Sequence, residues 1–315
     1  MAVWEETTDL LIEPGDGGED SEVEPPVQVI VAYDEPDTHL DYHFQREVMG
    51  IIRRQSAADH VSVVVATHSM NLIDGVDIRD VVLFELDDTR RTTMQRVGSA
   101  EHAEFDRHLG AIAAAVGLRN SVLLHERCFL AVEGETEQLT IPILFSLATK
   151  LSLQAAGIAL WACGGNDGAL KLASYLHKHE RSVMLMIDAD SESGSKIFSL
   201  KNLSGHFGTD KDKIVRMVGQ LSGARELEEL FDDDIWARTA NAAWPRDGGW
   251  KSEHFSAHRG EKFSTAVLQM LKDHSDQAPS GKPAMLLEVA VRLNGPDEVP
   301  SELRDIFAEL RELAG

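Results

Sequence analysis

The chain has 315 residues, is 43% hydrophobic and carries a formal net charge of −23. That length and apolar content suit one large or two ordinary globular domains. No apolar run approaches the roughly 20 residues that span a bilayer, and the N-terminus lacks the basic and apolar regions of a signal peptide. The expectation is a cytoplasmic protein without a membrane partner. The charge argues against tight nucleic-acid binding by the surface as a whole, since phosphate neutralisation dominates such affinity. Cys128 and Cys163 both sit in apolar runs and read as buried thiols rather than a disulfide or a metal pair.

Residues 1–26 are acidic, contain Gly and Pro, and hold no Lys or Arg. They read as a flexible segment. The character changes at Val27-Gln-Val-Ile-Val-Ala-Tyr33, an apolar strand ended by Asp34-Glu35-Pro36-Asp37-Thr38-His39-Leu40-Asp41. A helical pattern runs to about Gln55. A second strand, Val61-Ser-Val-Val-Val-Ala66, ends in Thr67-His68-Ser69.

This order resembles the C-terminal half of an ABC-type ATPase of the SMC and OLD kind. The resemblance implies a Walker B pair, in which Asp34 would hold Mg²⁺ and Glu35 would polarise water, followed by a D-loop. His68 would then be the switch histidine that senses the γ-phosphate. The chain contains no Gly-x-x-x-x-Gly-Lys-Ser/Thr loop, whose N–H groups and Lys cradle phosphates. Leu221-Ser-Gly-Ala-Arg225 looks like the family's signature motif but follows Walker B instead of preceding it. The expectation is a protein that begins partway through its ATPase domain and binds ATP weakly or not at all unless another chain supplies the loop. Val81-Val-Leu-Phe84 and a polar hairpin through Asp87-Asp88-Thr89-Arg90-Arg91 are expected to finish that sheet. An amphipathic helical pattern, with Phe105, Leu109, Ile112 and Val116 on one side, then links to a second domain.

Between Cys128 and Asp190 the pattern alternates: β (128–133), α (136–151), β (157–162), α (167–180), β (183–188). Such alternation is the mark of a parallel α/β sheet. Gly164-Gly165-Asn166-Asp167 turns the second strand into the next helix, with Asn166 or Asp167 as cap. The first strand delivers Glu133-Gly134-Glu135-Thr136-Glu137 and the last delivers Asp188-Ala189-Asp190. Both groups stand at C-terminal strand ends, where open α/β sheets place their sites. Glu133, Glu137, Asp188 and Asp190 could converge there on hard cations, which prefer carboxylate oxygens.

A Glu-Gly turn after the first strand and an Asp-x-Asp after the third resemble the Toprim domain. Val132-Glu-Gly-Glu-Thr-Glu137 is similar to the OLD family of nucleases, in which the acid four residues on is also a metal ligand. The resemblance implies a parallel Rossmann-like Toprim sheet flanked by helices and preceded by the C-terminal part of an ABC-type ATPase sheet. The expected division is a flexible segment (1–26), a partial ATPase (27–98), a helical linker (99–126), a Toprim core (127–240) and a helical extension completing the nuclease domain (241–315).

Lys196, Lys201, His206, Lys211, Lys213 and Arg216 form the most basic stretch and the candidate grip on a DNA backbone. Ile214-Val-Arg-Met-Val218 reads as a fourth strand. It leads to a turn and helix over 221–230 that, by the resemblance, adds another acid: Glu228 by register, with Glu226 as rival. Trp244, Trp250 and Phe255 suggest a packed but irregular region. Family members commonly set a Lys on a late helix near the metals, which points to Lys282, with Lys272 as alternative. The last helix, from Ser301 to Leu313, reads as core packing through Leu303, Ile306, Phe307 and Leu310.

The resemblance implies an Mg²⁺- or Mn²⁺-dependent DNA endonuclease or nickase acting through two ions. Glu133, Asp188, Asp190 and Lys282 would be catalytic, and Glu133, Glu137, Asp188, Asp190 and Glu228 would be the ligands. No side chain reads as a covalent nucleophile: Tyr33, Tyr42 and Tyr175 sit in ordinary element positions, and two cysteines cannot supply a primase's zinc module. The other reading is a partner-dependent or non-catalytic subunit, or a remnant, of a split ATPase–nuclease. It would be a homo-oligomer or bind a partner carrying the phosphate-loop half, in phage defence or DNA processing.

Overall fold

The computed structural model describes residues 28–74, 76, 80–87, 89–96, 118–164, 167–191, 197–260 and 262–315. The acidic segment 1–26, most of the linker helix expected over 101–124, Gly165, Asn166 and Lys196 lie outside the described residues. The chain divides into two compact units, with the division between residues 110 and 122. No helix among the described residues is long and apolar enough to cross a membrane.

In the first unit, β1 (Val29–Asp34) and β2 (Val61–Ala66) pair in parallel, in register from Val29↔Val61 to Asp34↔Ala66. Between them runs α1 (Tyr42–Ser56), capped by Asp41, whose carboxylate accepts from the N–H groups of His43 and Phe44 at 3.0 and 3.2 Å. Side chains alternate across each strand. Val31, Tyr33, Val63 and Val65 are partly covered, while Ile30 and Val64 on the other face are 75% and 59% exposed. The Tyr33 hydroxyl donates to Gln55 Oε1 of α1 at 2.5 Å. A short α2 (Met70–Ile73) follows β2.

The hairpin β3 (Val82–Leu86) and β4 (Thr92–Arg96) corrects one expectation. Among the described residues it does not extend the β1–β2 sheet but forms a two-stranded antiparallel sheet of its own. Its turn is held locally, with Asp87 Oδ1 accepting from the N–H groups of Thr89 and Arg91 at 2.8 Å each.

After α3 (Asn120–His125), which spans the division, the second unit is built on a four-stranded parallel sheet in the order β6-β5-β7-β8. Its elements are β5 (Cys128–Val132), α4 (Glu135–Thr149), β6 (Ile158–Ala162), α5 (Asp167–Lys178) and β7 (Ser182–Asp188). There follow α6 (Leu200–Phe207), a short α7 (Lys211–Ile214) and β8 (Val215–Val218). Strands buried on both faces need continuous rather than alternating hydrophobicity, and Cys128–Val132 are all fully buried. One face (Cys128, Leu130, Val132, Met184, Met186) joins a core that continues through Ile141, Leu144 and Phe145 of α4.

The remaining elements complete that same core. They are α8 (Asp233–Ala243), α9 (Ser252–Ser256), α10 (Phe263–His274), α11 (Lys282–Val291) and α12 (Ser301–Ala314). α11 packs on α4, and α12 lies against β5, β7 and β8. The region around Trp244, Trp250 and Phe255 is packed but irregular: Trp244 and Trp250 lie in the loop between α8 and α9, Phe255 lies in α9, and all three side chains are buried. Trp236 stacks on Phe255 at 6.0 Å and meets Phe263 edge-on at 5.7 Å. Both cysteines are free, buried thiols, as the apolar runs around them require.

A second correction concerns 221–230. The helix expected there is absent, and only a 3₁₀ turn forms over Leu227–Leu230. After β8 the chain turns at Gly219 (φ +94°), where a Cβ would stand 2.5 Å from the Ala224 carbonyl oxygen. Only glycine tolerates that φ and that approach. The Glu302 carboxylate fastens the turn by accepting from the N–H groups of Gly219 and Ser222 at 2.8 and 3.3 Å.

Candidate metal centre

The parallel order brings the carboxyl ends of β5 and β7 side by side, and with them Glu133 and Asp188. The Asp188 N–H donates to Glu133 Oε2 at 3.2 Å. The Ser191 hydroxyl lies 2.7 Å from both Glu133 oxygens. Glu137, in the first turn of α4, folds back so that its Oε2 accepts from the Gly134 N–H at 2.9 Å. Asp188 Oδ1 accepts from the Leu227 N–H at 2.9 Å, tying the 3₁₀ turn to the end of β7. That turn carries Glu228, only 4% exposed, whose carbonyl accepts from the Trp236 indole at 3.2 Å. Asp190 is positioned from the same side, its N–H donating to the Arg225 carbonyl at 3.2 Å.

Burial and mutual repulsion dominate the electrostatics. Burial first, then the charges of Glu137, Glu228 and Glu133, pushes Asp188 well above the usual carboxylate range. Burial, then Glu137, raises Glu228 to about 8. Glu137 is raised by burial and by Glu133. Asp190 is also raised, by burial and the charge of Glu226, with Lys262, Lys282 and Arg225 opposing the shift. The nearest counter-charge to Glu226 is Lys282, at the start of α11, with Nζ 3.7 Å from Glu226 Oε1.

The arrangement brings together Glu133, Glu137, Asp188, Glu228, Asp190 and Lys282. Lys272 is an exposed residue of α10. Glu226 and Glu228 are both buried and differ in neighbours: Glu228 feels Glu137, whereas Glu226 accepts from the Ser264 N–H at 2.6 Å and pairs with Lys282. Among the described residues, no three His, Cys, Asp or Glu side chains already stand as a ready metal set. Several acids instead lean on backbone N–H groups or on Ser191. The donor chemistry nevertheless fits a divalent cation: carboxylate oxygens only, buried, and destabilised by one another.

The basic stretch is largely self-neutralised. Lys211 lies 3.3 Å from Asp212, and Lys213 lies 3.0 Å from Asp210. Arg216 grips Glu309 of α12 through both ends of its guanidinium, with Nε donating to Oε2 at 2.7 Å. Lys201 lies exposed on α6. In the first unit, Asp34 ends β1, and Glu35 faces His68 at 3.4 Å from the end of β2. There Thr67 Oγ1 donates to the buried Asp37 at 2.9 Å.

Sequence reasoning missed Ser191 and Glu229. The Glu229 carboxylate is buried and accepts from the N–H groups of Arg225 (2.9 Å) and Gly260 (3.2 Å). The available signal was three acids within four residues, Glu226, Glu228 and Glu229, more than one metal ligand needs.

Residues 124–190 match the family described as overcoming lysogenization defect protein-like, TOPRIM domain. This stretch is similar to an OLD-like Toprim domain. Residues 25–74 match a second family, an AAA domain described as a putative AbiEii toxin of a type IV toxin–antitoxin system. The Toprim match contains Glu133, Glu137, Asp188 and Asp190 and ends before Glu226, Glu228 and Lys282. The C-terminal region of the Burkholderia pseudomallei OLD protein is 16% identical over 60% of this chain and 99% of its own, with a TM-score of 0.41. That of the Xanthomonas campestris pv. campestris OLD protein is 17% identical over 59% and 93%, with a TM-score of 0.40. No curated protein matches the chain.

Proposed function

We propose that the Toprim unit is a metal-dependent DNA endonuclease or nickase that hydrolyses phosphodiesters with two Mg²⁺ or Mn²⁺ ions. One observation carries this reading: Glu137 and Glu228 are buried and Asp188 half-buried beside Glu133, with their affinity for protons raised by burial and by neighbouring acids. A cluster that costs stability when empty makes sense if divalent cations neutralise it in the working protein. Glu133, Glu137, Asp188, Asp190 and Glu228 would share the ligand work. Bound there, the cations would supply Lewis acidity and an activated water at neutral pH.

Ser191 would fix the orientation of Glu133 through its hydroxyl. Lys282 would offset charge building on the phosphoryl oxygens, because its ammonium already faces the acids of the site. With Mn²⁺, the purified chain should nick supercoiled plasmid, and Asp188→Ala should abolish nicking. Equal nicking by the variant contradicts the reading.

A second reading, a partner-dependent subunit of a split ATPase–nuclease, is favoured by the bare face of the β1–β2 sheet, where Ile30 and Val64 stand exposed. On that reading a partner, or a second copy, supplies the phosphate loop, and nucleotide binding belongs to the complex rather than to this chain alone. Either protein would act in the cytoplasm, in phage defence or DNA processing.

A further inference from the structure

We infer that Arg225 and Lys262 form the grip on the DNA phosphate backbone, as a basic rim next to the acid cluster. This rests on the endonuclease reading above and adds how an acidic protein holds its substrate. At a net charge of −23 the surface as a whole repels DNA, so any grip must be local and its cations must be available.

The 211–216 stretch does not meet that condition. Lys211, Lys213 and Arg216 are each paired with a carboxylate, those of Asp212, Asp210 and Glu309. Arg216 Nη1 also donates to the carbonyls of Asp212 and Val215 at 3.0 and 2.9 Å. Moving these groups onto phosphate would break contacts already made.

Arg225 and Lys262 are exposed, and among the described residues neither side chain makes a hydrogen bond or an ion pair. Both flank the acid cluster from different loops: the Arg225 carbonyl accepts from the Asp190 N–H at 3.2 Å, and Lys262 stands two residues before Ser264, whose N–H donates to Glu226. Their backbones are pinned by acids that have no other evident task. Glu229 accepts from the Arg225 N–H at 2.9 Å with one oxygen and from the Gly260 N–H at 3.2 Å with the other, clamping the two cation-bearing loops together. Arg259 reinforces the clamp, donating to the carbonyls of Glu229 (2.6 Å) and Phe231 (2.7 Å) and to Asp233 Oδ1 (2.9 Å). Glu226 accepts from the Ser264 N–H at 2.6 Å, two residues past Lys262, and its other oxygen faces Lys282 Nζ at 3.7 Å. Two buried acids therefore spend their charge on backbone donors and on Lys282, leaving Arg225 and Lys262 to face solvent. Exposed cations on pinned backbones lose little on meeting a phosphate.

The test is fluorescence anisotropy of a labelled DNA duplex with the full chain in Ca²⁺, repeated across salt concentrations. The Arg225→Ala/Lys262→Ala double variant should bind about tenfold more weakly, with a salt slope smaller by about two, one unit per lost phosphate contact. The Lys211→Ala/Lys213→Ala variant should stay within about twofold of the parent. Arg225, Lys262 and Lys213 are exposed and Lys211 is half-buried, so melting temperatures should change little. The inference is overturned if the first variant binds like the parent, if the second loses as much, or if the parent binds no duplex. A parent that binds with this dependence but nicks nothing leaves the basic rim standing and contradicts the endonuclease reading instead.

Discussion

The chain contains two parallel sheets built from similar apolar runs, and they meet very different surroundings. Cys128–Val132 and Met184–Met186 are fully buried, covered on both faces, and their ends hold the acids rigidly. Val29–Asp34 and Val61–Ala66 are covered on one face only, and Ile30 and Val64 project 75% and 59% exposed. Parallel strands are ordinarily buried on both faces. The first pair is a closed platform for the acid cluster, while the second is an open one that offers Glu35 and His68 at a solvent-facing edge.

The sharpest way to break this comparison is to truncate one apolar side chain in each sheet. Leu130→Ala should cost about 2–5 kcal/mol, because the site cannot collapse around the void. Ile30→Ala should stay within about 0.5 kcal/mol. Urea unfolding followed by far-UV circular dichroism measures both, and similar losses would erase the distinction. A smaller effect, of opposite sign, is expected at the acid cluster. Glu228, raised to about 8 by burial, must take up a proton on folding at neutral pH; Glu228→Gln removes that cost and should stabilise the metal-free protein by about 1–3 kcal/mol. Thermal melts in EDTA read this directly, and a destabilised variant would show that Glu228 bears no such cost.

The smallest effect lies in the C-terminal helices. Arg238 donates to both Glu298 oxygens, and with Asn294 it lowers the Glu298 pKa to about 2. A depressed folded-state value means that the stabilisation is present above the ordinary carboxylate range and is lost as pH falls from about 4.5 toward 2. Both side chains are partly exposed, so the gain should be about 0.5–1 kcal/mol. Arg238→Ala should flatten that part of the stability–pH curve, and an unchanged curve would show the pair to be inert.

Much of the Toprim sheet was legible because its signals are local. A continuous apolar run followed by Glu133, or by Asp188 and Asp190, marks a buried strand and its carboxyl end without tertiary information. Glu228 could be named by register, but that Glu226 and Glu229 are clamps depended on Ser264 and Gly260, more than 30 residues further on. The basic stretch misled for the same reason: Arg216 meets Glu309, 93 residues away, and no local pattern announces that pairing. The helix expected over 221–230 failed for local and distant reasons together. The distant Glu302 carboxylate takes the N–H groups of Gly219 and Ser222, and the Glu229 side chain takes that of Arg225. The hairpin at Val82–Arg96 carries strand signals, but nothing in them says which sheet it joins.

The central claim is that the acids at the ends of β5 and β7 hold divalent cations. Calorimetric titration of Mn²⁺ into the metal-free chain tests it most directly, with Asp188→Asn and Arg238→Ala run alongside. The parent and Arg238→Ala should bind about two ions alike, and Asp188→Asn should lose most of the heat. A parent that takes up no Mn²⁺, or an Asp188→Asn variant that binds it unchanged, would contradict the account.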